Sequence, residues 1–389
     1  MTSCVRGVGI DALQFYVPPF AIDLSILAKE RGIDPEKFRV GLGQEQMAIM
    51  PPDEDVVTMA ANAAAPLLDR EGKEKIRLVL FATESSVDQS KAAGLWVHHL
   101  LSLPSSCRVV ELKQACYSAT CALQLASSYL KDHLDEKVLL LAADNARYGL
   151  NSSGEPTQGC GAIAMILSSS PRLLSIEPHQ GISASHAMDF WRPNYRSEAI
   201  VDGKYSTRVY LNTLIESWSD YCLRSSHTFE DHDRFCYHIP FSRMARKAYE
   251  RLAKQAQVSA RFEEHVAPGL VYSTKVGNAY TAALYIGLVS MLENDRSDLS
   301  ERRIGLFSYG SGSVGEFFSG IVQSGYQDVL SRDAHAKLFE GRSFLSYKEY
   351  EKFFNYQLSA DGGDHVSPQV TPSQFRLLGV KNHERLYGA

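Results

Sequence analysis

In Gln114-Ala115-Cys116-Tyr117-Ser118-Ala119-Thr120 a cysteine stands between an apolar run and a stretch of small residues. The run before it, Cys107-Arg108-Val109-Val110-Glu111-Leu112, reads as a strand. After it, Ala119, Ala122, Leu123, Ala126 and Leu130 recur at the spacing of one helix face. Cys116 is therefore expected at a strand-to-helix turn, close to a helix N-terminus. The unpaired N–H groups and positive dipole end there favour a thiolate over a thiol. A thiolate is the nucleophile of covalent acyl transfer. Taken alone, a cysteine is more often a buried structural residue; the elbow and the distant partners in the sequence reverse that for Cys116.

The elements that would position it follow an α/β pattern. Apolar runs at 76–82, 137–143, 161–167 and 301–309 lack polar alternation, as strands buried on both faces do. Helical patterns fall between them at about 54–69, 89–101 and 117–132. The second half echoes the first. Glu155 to Ala162 and Ser308 to Phe318 each carry a Gly-rich turn beside an apolar run, which suggests a duplicated unit. Ser168-Ser169-Ser170-Pro171 reads as the link, giving halves of 1–170 and 171–389. Residues 186–235 are aromatic, polar and poorly periodic, and read as a capping region.

Composition bounds the class. The chain has 389 residues, 44% hydrophobic and 22% charged, as soluble globular proteins do. No apolar run reaches the roughly 18 residues of a membrane span, and Met1 to Arg6 opens no signal-peptide pattern. Seven cysteines without regular spacing point to reduced thiols in the cytoplasm, and the absence of paired CxxC motifs argues against structural zinc. A net charge of −5 argues against a nucleic-acid partner and leaves any anionic substrate to a local basic patch.

Five segments in order carry a resemblance. They are Ala82-Thr83-Glu84-Ser85-Ser86, the Cys116 segment, Tyr237-His238-Ile239-Pro240-Phe241-Ser242, Gly277-Asn278-Ala279-Tyr280-Thr281, and Ser308-Tyr309-Gly310-Ser311-Gly312-Ser313. Together they resemble the bacterial type of 3-hydroxy-3-methylglutaryl-CoA synthase, in the thiolase superfamily, up to about residue 355. The last 30 or so residues carry little signal.

The resemblance implies a five-layered α-β-α-β-α fold of two similar halves, usually a homodimer. It also implies a mevalonate-pathway reaction in which acetyl-CoA acylates Cys116. The acetyl methyl then attacks the ketone of acetoacetyl-CoA, and water releases 3-hydroxy-3-methylglutaryl-CoA. Both CoA thioesters are substrates, and no metal or redox cofactor is implied. Glu84 would be the general acid/base, which burial must tune for work near neutral pH. His238 would donate to the acceptor carbonyl, with Asn278 beside it. Ser311 and its glycines would bring N–H groups to a thioester oxygen. Tyr148, Thr157 and His186, with Asp189-Phe190, match substrate-pocket positions. Each has a plain structural alternative: a helix cap for Glu84 and Asn278, a satisfied core histidine for His238, turn chemistry for Ser311, and packing for Tyr148.

After His238, Arg243, Arg246, Lys247 and Arg251 share one helix side opposite Met244, Ala245, Ala248, Tyr249 and Leu252. A solvated face explains this pattern; a role for Arg243, Arg246, Lys247 and Lys275 at CoA phosphates is the functional reading. Bacterial relatives tend to carry Lys where Arg243 stands. Two other enzymes share the cysteine, histidine and asparagine. A β-ketoacyl-carrier-protein synthase III needs no carboxylate base, so Glu84 argues against it. A homologue acting on a carrier-bound β-ketone in polyketide branching would use the same residues. A thiolase needs a second cysteine near the last Gly-rich turn, and Ser308 to Glu316 has none.

Overall fold

The computed structural model describes residues 7–359 and 361–389. The segment Met1 to Arg6, with Cys4, lies outside the described residues. Nine strands form one mixed sheet: β1 (Gly9–Tyr16), β2 (Ile76–Ala82), β3 (Arg108–Leu112), β4 (Lys137–Asn145), β5 (Cys160–Ser168), β6 (Leu174–Ala184), β7 (Arg234–Tyr237), β8 (Arg303–Gly310) and β9 (Val314–Val322). The five runs read as strands from the sequence appear as β2, β3, β4, β5 and β8, with ends within two residues of expectation.

The spatial order is β7-β8-β9-β6-β1-β5-β4-β2-β3. Read outward from the centre, it repeats itself. β1 pairs antiparallel with β5, β5 antiparallel with β4, and β4 parallel with β2. On the other side β6 pairs antiparallel with β9, β9 antiparallel with β8, and β8 parallel with β7. Among the described residues, the pairs Gly9↔Ser175 and Ile10↔Leu174 join the two sets. The Gly-rich echo now has a cause: both turns lead into the antiparallel strand of their set, Gly159 into β5 and Gly310 to Ser313 into β9.

Five helices complete the layers: α1 (Val56–Glu71), α2 (Ser118–Asp132), α3 (Gly203–Ser225), α4 (Ser242–Ala256) and α5 (Ala283–Asn294). Alternation along β8 shows the layering. Ile304 and Leu306 join the main core with α1, α2 and α5, whereas Phe307 and Tyr309 join a second, aromatic core under α3 and α4. Helices thus cover both faces of the sheet, a mixed α/β arrangement. The α2 face buries Ala119, Ala122, Leu123, Ala126 and Leu130, as the spacing predicts, and α4 buries Met244, Ala245, Ala248, Tyr249 and Leu252. Among the described residues no helix is long and apolar enough to cross a membrane. The six described cysteines are free thiols; Cys236 is buried and Cys222 only partly so.

One expectation needs correction. The stretch 186–235, read as poorly periodic, contains the 23-residue helix α3. Its buried residues Tyr210, Thr213, Leu214, Ser217, Trp218 and Tyr221 do recur every three or four positions. Most carry a polar atom, so the apolar signal is faint. The hydroxyls are satisfied inside: Tyr210 donates to the His238 carbonyl at 2.7 Å, and Ser217 to the Thr213 carbonyl at 2.8 Å.

The C-terminal residues are also structured. Strands at 365–366, 376–381 and 384–388 form a small antiparallel sheet. It docks on the start of α1 through three carboxylates, of which Glu54 accepts from the Thr371 hydroxyl at 2.6 Å. Asp53 accepts from the N–H groups of Val370 and Thr371 at 2.8 and 3.0 Å. Asp55 accepts from Arg385 at 3.1 Å and Tyr387 at 2.7 Å. Asp53→Ala should leave buried amides without a partner and cost about 1–3 kcal/mol. Urea unfolding measures the loss, and trypsin should cut at Arg376 or Lys381 sooner than in the wild type. An unchanged midpoint and cleavage rate would assign the docking to Glu54 and Asp55.

Candidate active site

Cys116 lies two residues before α2, in a tight elbow. Ala115 adopts φ +44°, a left-handed conformation costly for a residue with a Cβ. Its surroundings hold it there. The Ser118 hydroxyl donates to the Ala115 carbonyl at 2.9 Å, and Gln114 Nε2 donates to the Ser311 carbonyl at 3.1 Å. The turn between β8 and β9 presses on the elbow so closely that a Cβ on Gly310 would lie 2.4 Å from the Gln114 carbonyl oxygen. Below, the Tyr117 hydroxyl donates to Glu316 Oε2 at 2.6 Å.

Glu84 follows β2. Its turn is built on Asp144 near the end of β4, a fully buried carboxylate that no sequence pattern marks. Asp144 accepts from the Thr83 hydroxyl, the N–H groups of Glu84 and Ser85, and the Ser85 hydroxyl. From the second half of the chain it accepts the N–H and hydroxyl of Thr281. Arg192, also unflagged by the sequence, donates to the Glu84 carbonyl. The Glu84 side chain thus meets Cys116, whose Sγ donates to Oε1 at 3.0 Å.

The charge state of Cys116 differs from expectation. Burial pushes the Cys116 thiol well up, and the neighbouring Glu84 pushes it further, so the resting group is a thiol and not the predicted thiolate. Burial also raises Glu84 to about 8, with the Asp144 charge adding to the rise. Below that pH the two residues form a neutral hydrogen-bonded pair.

Cys116 opens into a cavity of about 160 Å³ that His238, Asn278, Tyr148, Thr157 and Ser311 also line. His238 follows β7; its N–H donates to the Phe307 carbonyl at 2.7 Å. Burial lowers its pKa to about 3, so the ring is neutral, and Nδ1 has no partner among the described residues. Asn278 spends its Oδ1 on the Tyr280 N–H at 2.9 Å, a cap, which leaves its NH₂ as the group for a ligand. Gly277 before it has φ +83°, and a Cβ there would lie 1.9 Å from the Gln158 carbonyl oxygen. That close approach brings Asn278 beside Thr157, whose carbonyl accepts the Asn278 N–H at 3.1 Å. Tyr148, Phe190 and Tyr280 form an edge-to-face row at 6.0 and 5.8 Å. Burial keeps the Tyr148 phenol protonated. Asp189, fully buried, fixes the Ser311 turn by accepting from the Gly312 N–H at 2.9 Å and the Tyr309 hydroxyl at 2.7 Å.

Not every residue picked from the sequence reaches this cavity. His186 is exposed and lines a separate open groove of about 1310 Å³, which Glu84, Arg192 and Ser311 also border. Arg246 is consumed by Glu263 at 2.6 Å and by stacking over Phe262 at 3.7 Å. Lys275 stands over Phe339, 5.6 Å from its ring centre, and does not line the cavity. Arg243 and Lys247 are exposed at the cavity rim. The Arg243 N–H donates to the carbonyl of the lining residue Leu42 at 2.8 Å, and Lys247 sits 5.6 Å over lining Phe241. Among the described residues no group of three His, Cys, Asp or Glu is placed to hold a metal.

The family model for the N-terminal part of hydroxymethylglutaryl-coenzyme A synthase matches residues 4–171, and that for its C-terminal part matches 176–259 and 253–372. The chain belongs to the hydroxymethylglutaryl-CoA synthase family. It is 44% identical to the hydroxymethylglutaryl-CoA synthase of Enterococcus faecalis over 98% of this chain and 99% of that one. It is 32% identical to a polyketide 3-hydroxy-3-methylglutaryl-ACP synthase of Bacillus subtilis, over 90% and 88%. A solved synthase complexed with CoA superposes with a TM-score of 0.93 at 39% identity, covering 98% and 99% of the two chains. The resemblance read from the five motifs holds, and with it the activity: acetyl-CoA, acetoacetyl-CoA and water give 3-hydroxy-3-methylglutaryl-CoA and CoA.

The Asp144 charge makes the pH dependence of the synthase testable. With the Glu84 pKa raised, its carboxylate appears only as pH rises through about 8. A step needing that base should therefore speed up with pH over this range. Asp144→Asn removes a neighbouring negative charge, so the rising limb of kcat against pH should move to lower pH. A limb that stays in place would mean that burial alone sets Glu84.

Proposed function

We propose that Cys116, Glu84 and His238 divide the synthase reaction among them. The observation that carries this reading is the 3.0 Å contact between the Cys116 thiol and Glu84 beside a cavity that His238 lines. In the first step Cys116 Sγ bonds to the acetyl carbon, the acetyl–SCoA bond breaks, and the thiol proton ends on CoA. In the second, the Glu84 carboxylate removes a methyl proton from acetyl-Cys116. The carbon attacks the ketone of acetoacetyl-CoA, and protonated Glu84 returns the proton to the new alkoxide. His238, neutral, donates to that ketone oxygen, with the Asn278 NH₂ beside it. Water then cleaves the Cys116 thioester. The Ser311 turn orients the thioester oxygen, and Tyr148 and Thr157 shape the acetyl end.

Arg243 and Lys247 at the rim take the CoA phosphates. Residues 1–170 supply Glu84 and Cys116, and residues 171–389 supply His238, Asn278 and Ser311. The enzyme works in the cytoplasm as a homodimer. Its sheet ends at β3, which pairs only with β2 and exposes 48% of Val110, a seam suited to a second copy.

Glu84→Gln separates the steps. At neutral pH Glu84 is a protonated acid, and glutamine reproduces its hydrogen-bond acceptor for the thiol. The variant should still show an acetyl adduct by intact mass spectrometry after acetyl-CoA is added. Condensation should fall roughly 10²–10⁴-fold. Cys116→Ala should show no adduct. An adduct in Cys116→Ala would move the nucleophile elsewhere, and near-normal condensation in Glu84→Gln would remove Glu84 from the mechanism.

The acceptor is free acetoacetyl-CoA, a reading supported by 44% identity to a CoA-using synthase against 32% to the ACP-using one. The ratio of kcat/KM for acetoacetyl-CoA and acetoacetyl carrier protein tests it. A large preference for the carrier would select the polyketide reaction. With free CoA, Arg243→Ala should raise KM and leave kcat nearly unchanged, because distant phosphate contacts bind ground and transition states alike.

A further inference from the structure

A second cavity, of about 310 Å³, lies behind the catalytic turn. That volume is within the range of small-molecule sites. Ser85, Ser86 and Arg147 line it, chain neighbours of Glu84 and Tyr148. Much of its wall is apolar, including Ile49, Pro51, Phe353, Phe354, Tyr356 and Leu377. Cys116, His238 and Asn278 line the catalytic cavity and not this one.

Arginines outnumber acids in the lining of this cavity, with Arg147, Arg192 and Arg385 against Glu54, raised to about 7 by burial, and Asp55. Arg385 is paired with Asp55. Among the described residues neither Arg147 nor Arg192 forms an ion pair. Arg147 donates one Nη to the Phe354 carbonyl at 2.5 Å and stacks 4.1 Å over that ring. Its Nε is buried with no partner. Burial pushes the Arg147 pKa down, and the nearby Glu198 charge offsets this only in part. Arg192 spends one Nη on the Glu84 carbonyl, so the cavity and the catalytic turn share it. Glu54, 2% exposed, bonds Tyr16 and Thr371 through Oε1, while Oε2 has no partner.

We propose that this cavity binds a small organic monocarboxylate, with Arg147 and Arg192 holding its carboxylate and the aromatic wall of Phe353 and Phe354 covering its apolar body. Guanidinium and carboxylate match in geometry as well as charge. The carboxylate supplies the ion-pair partner that the two arginines lack among the described residues, and the apolar walls reject a strongly hydrated inorganic anion.

Hexanoate and phenylacetate are the probes, followed by ligand-observed NMR on the wild-type protein saturated with CoA to occupy the catalytic cavity. At least one should bind, and its amide (hexanamide or phenylacetamide) should bind about tenfold weaker or worse. Arg147→Gln should lower the carboxylate affinity by a similar factor, and Arg147→Lys should restore part of it. If neither acid binds, if acid and amide bind alike, or if CoA displaces the acid, the proposal fails. If Arg147→Gln does not fold, the comparison of acid and amide on the wild type decides.

Discussion

One buried carboxylate organises the centre of this molecule. Asp144 sits at the end of a first-half strand and collects six donors, four from the Thr83–Ser85 turn and two from Thr281 in the second half. An ionised carboxylate without such partners is too costly to bury. Because the donors come from both halves, neither half can shift without stranding the charge. The Glu84 turn is thereby aimed at Cys116, and the strand end leading to Tyr148 is held beside Thr281. The same charge reaches Glu84 and raises its pKa.

The resting site is uncharged at its three reacting groups. The thiol is raised, the Glu84 acid is raised and the His238 imidazole is lowered, each first by burial. The helix-dipole argument for a thiolate fails here on magnitude. A helix end is worth about 0.3–1 kcal/mol at an exposed site, whereas each pKa unit lost to burial is about 1.4 kcal/mol. A neutral site suits a reaction whose charges are transient. Proton positions change one at a time, and no standing ion pair has to be broken first.

The duplicated topology explains why the reacting groups come from distant parts of the chain. Each half places a strand-to-helix connection at the common junction: the Cys116 elbow in one, His238 between β7 and α4 in the other. The turns Gly277 to Asn278 and Gly310 to Ser313 then close the cavity, and both approach neighbouring backbone too closely for a side chain. The small C-terminal sheet lies outside this symmetry and is tied to the start of α1 by Asp53, Glu54 and Asp55.

The sequence by itself determined the elements with strong apolar periodicity, namely β2, β4, β5, α2 and α4, and the motifs that mark Cys116, Glu84, His238, Asn278 and Ser311. These signals are local: a strand buried on both faces or a helix with one apolar side writes its pattern into consecutive residues. The helix α3 escaped because its buried side is built from tyrosine, threonine and serine, whose polar atoms find partners only in the folded protein. Tertiary structure alone decided that Asp144 and Arg192 support Glu84, that His186 faces a different groove, and that Arg246 is spent on Glu263. It also decided the charge of Cys116. These are properties of burial and of pairs far apart in the chain, and the spacing of neighbouring residues does not encode them.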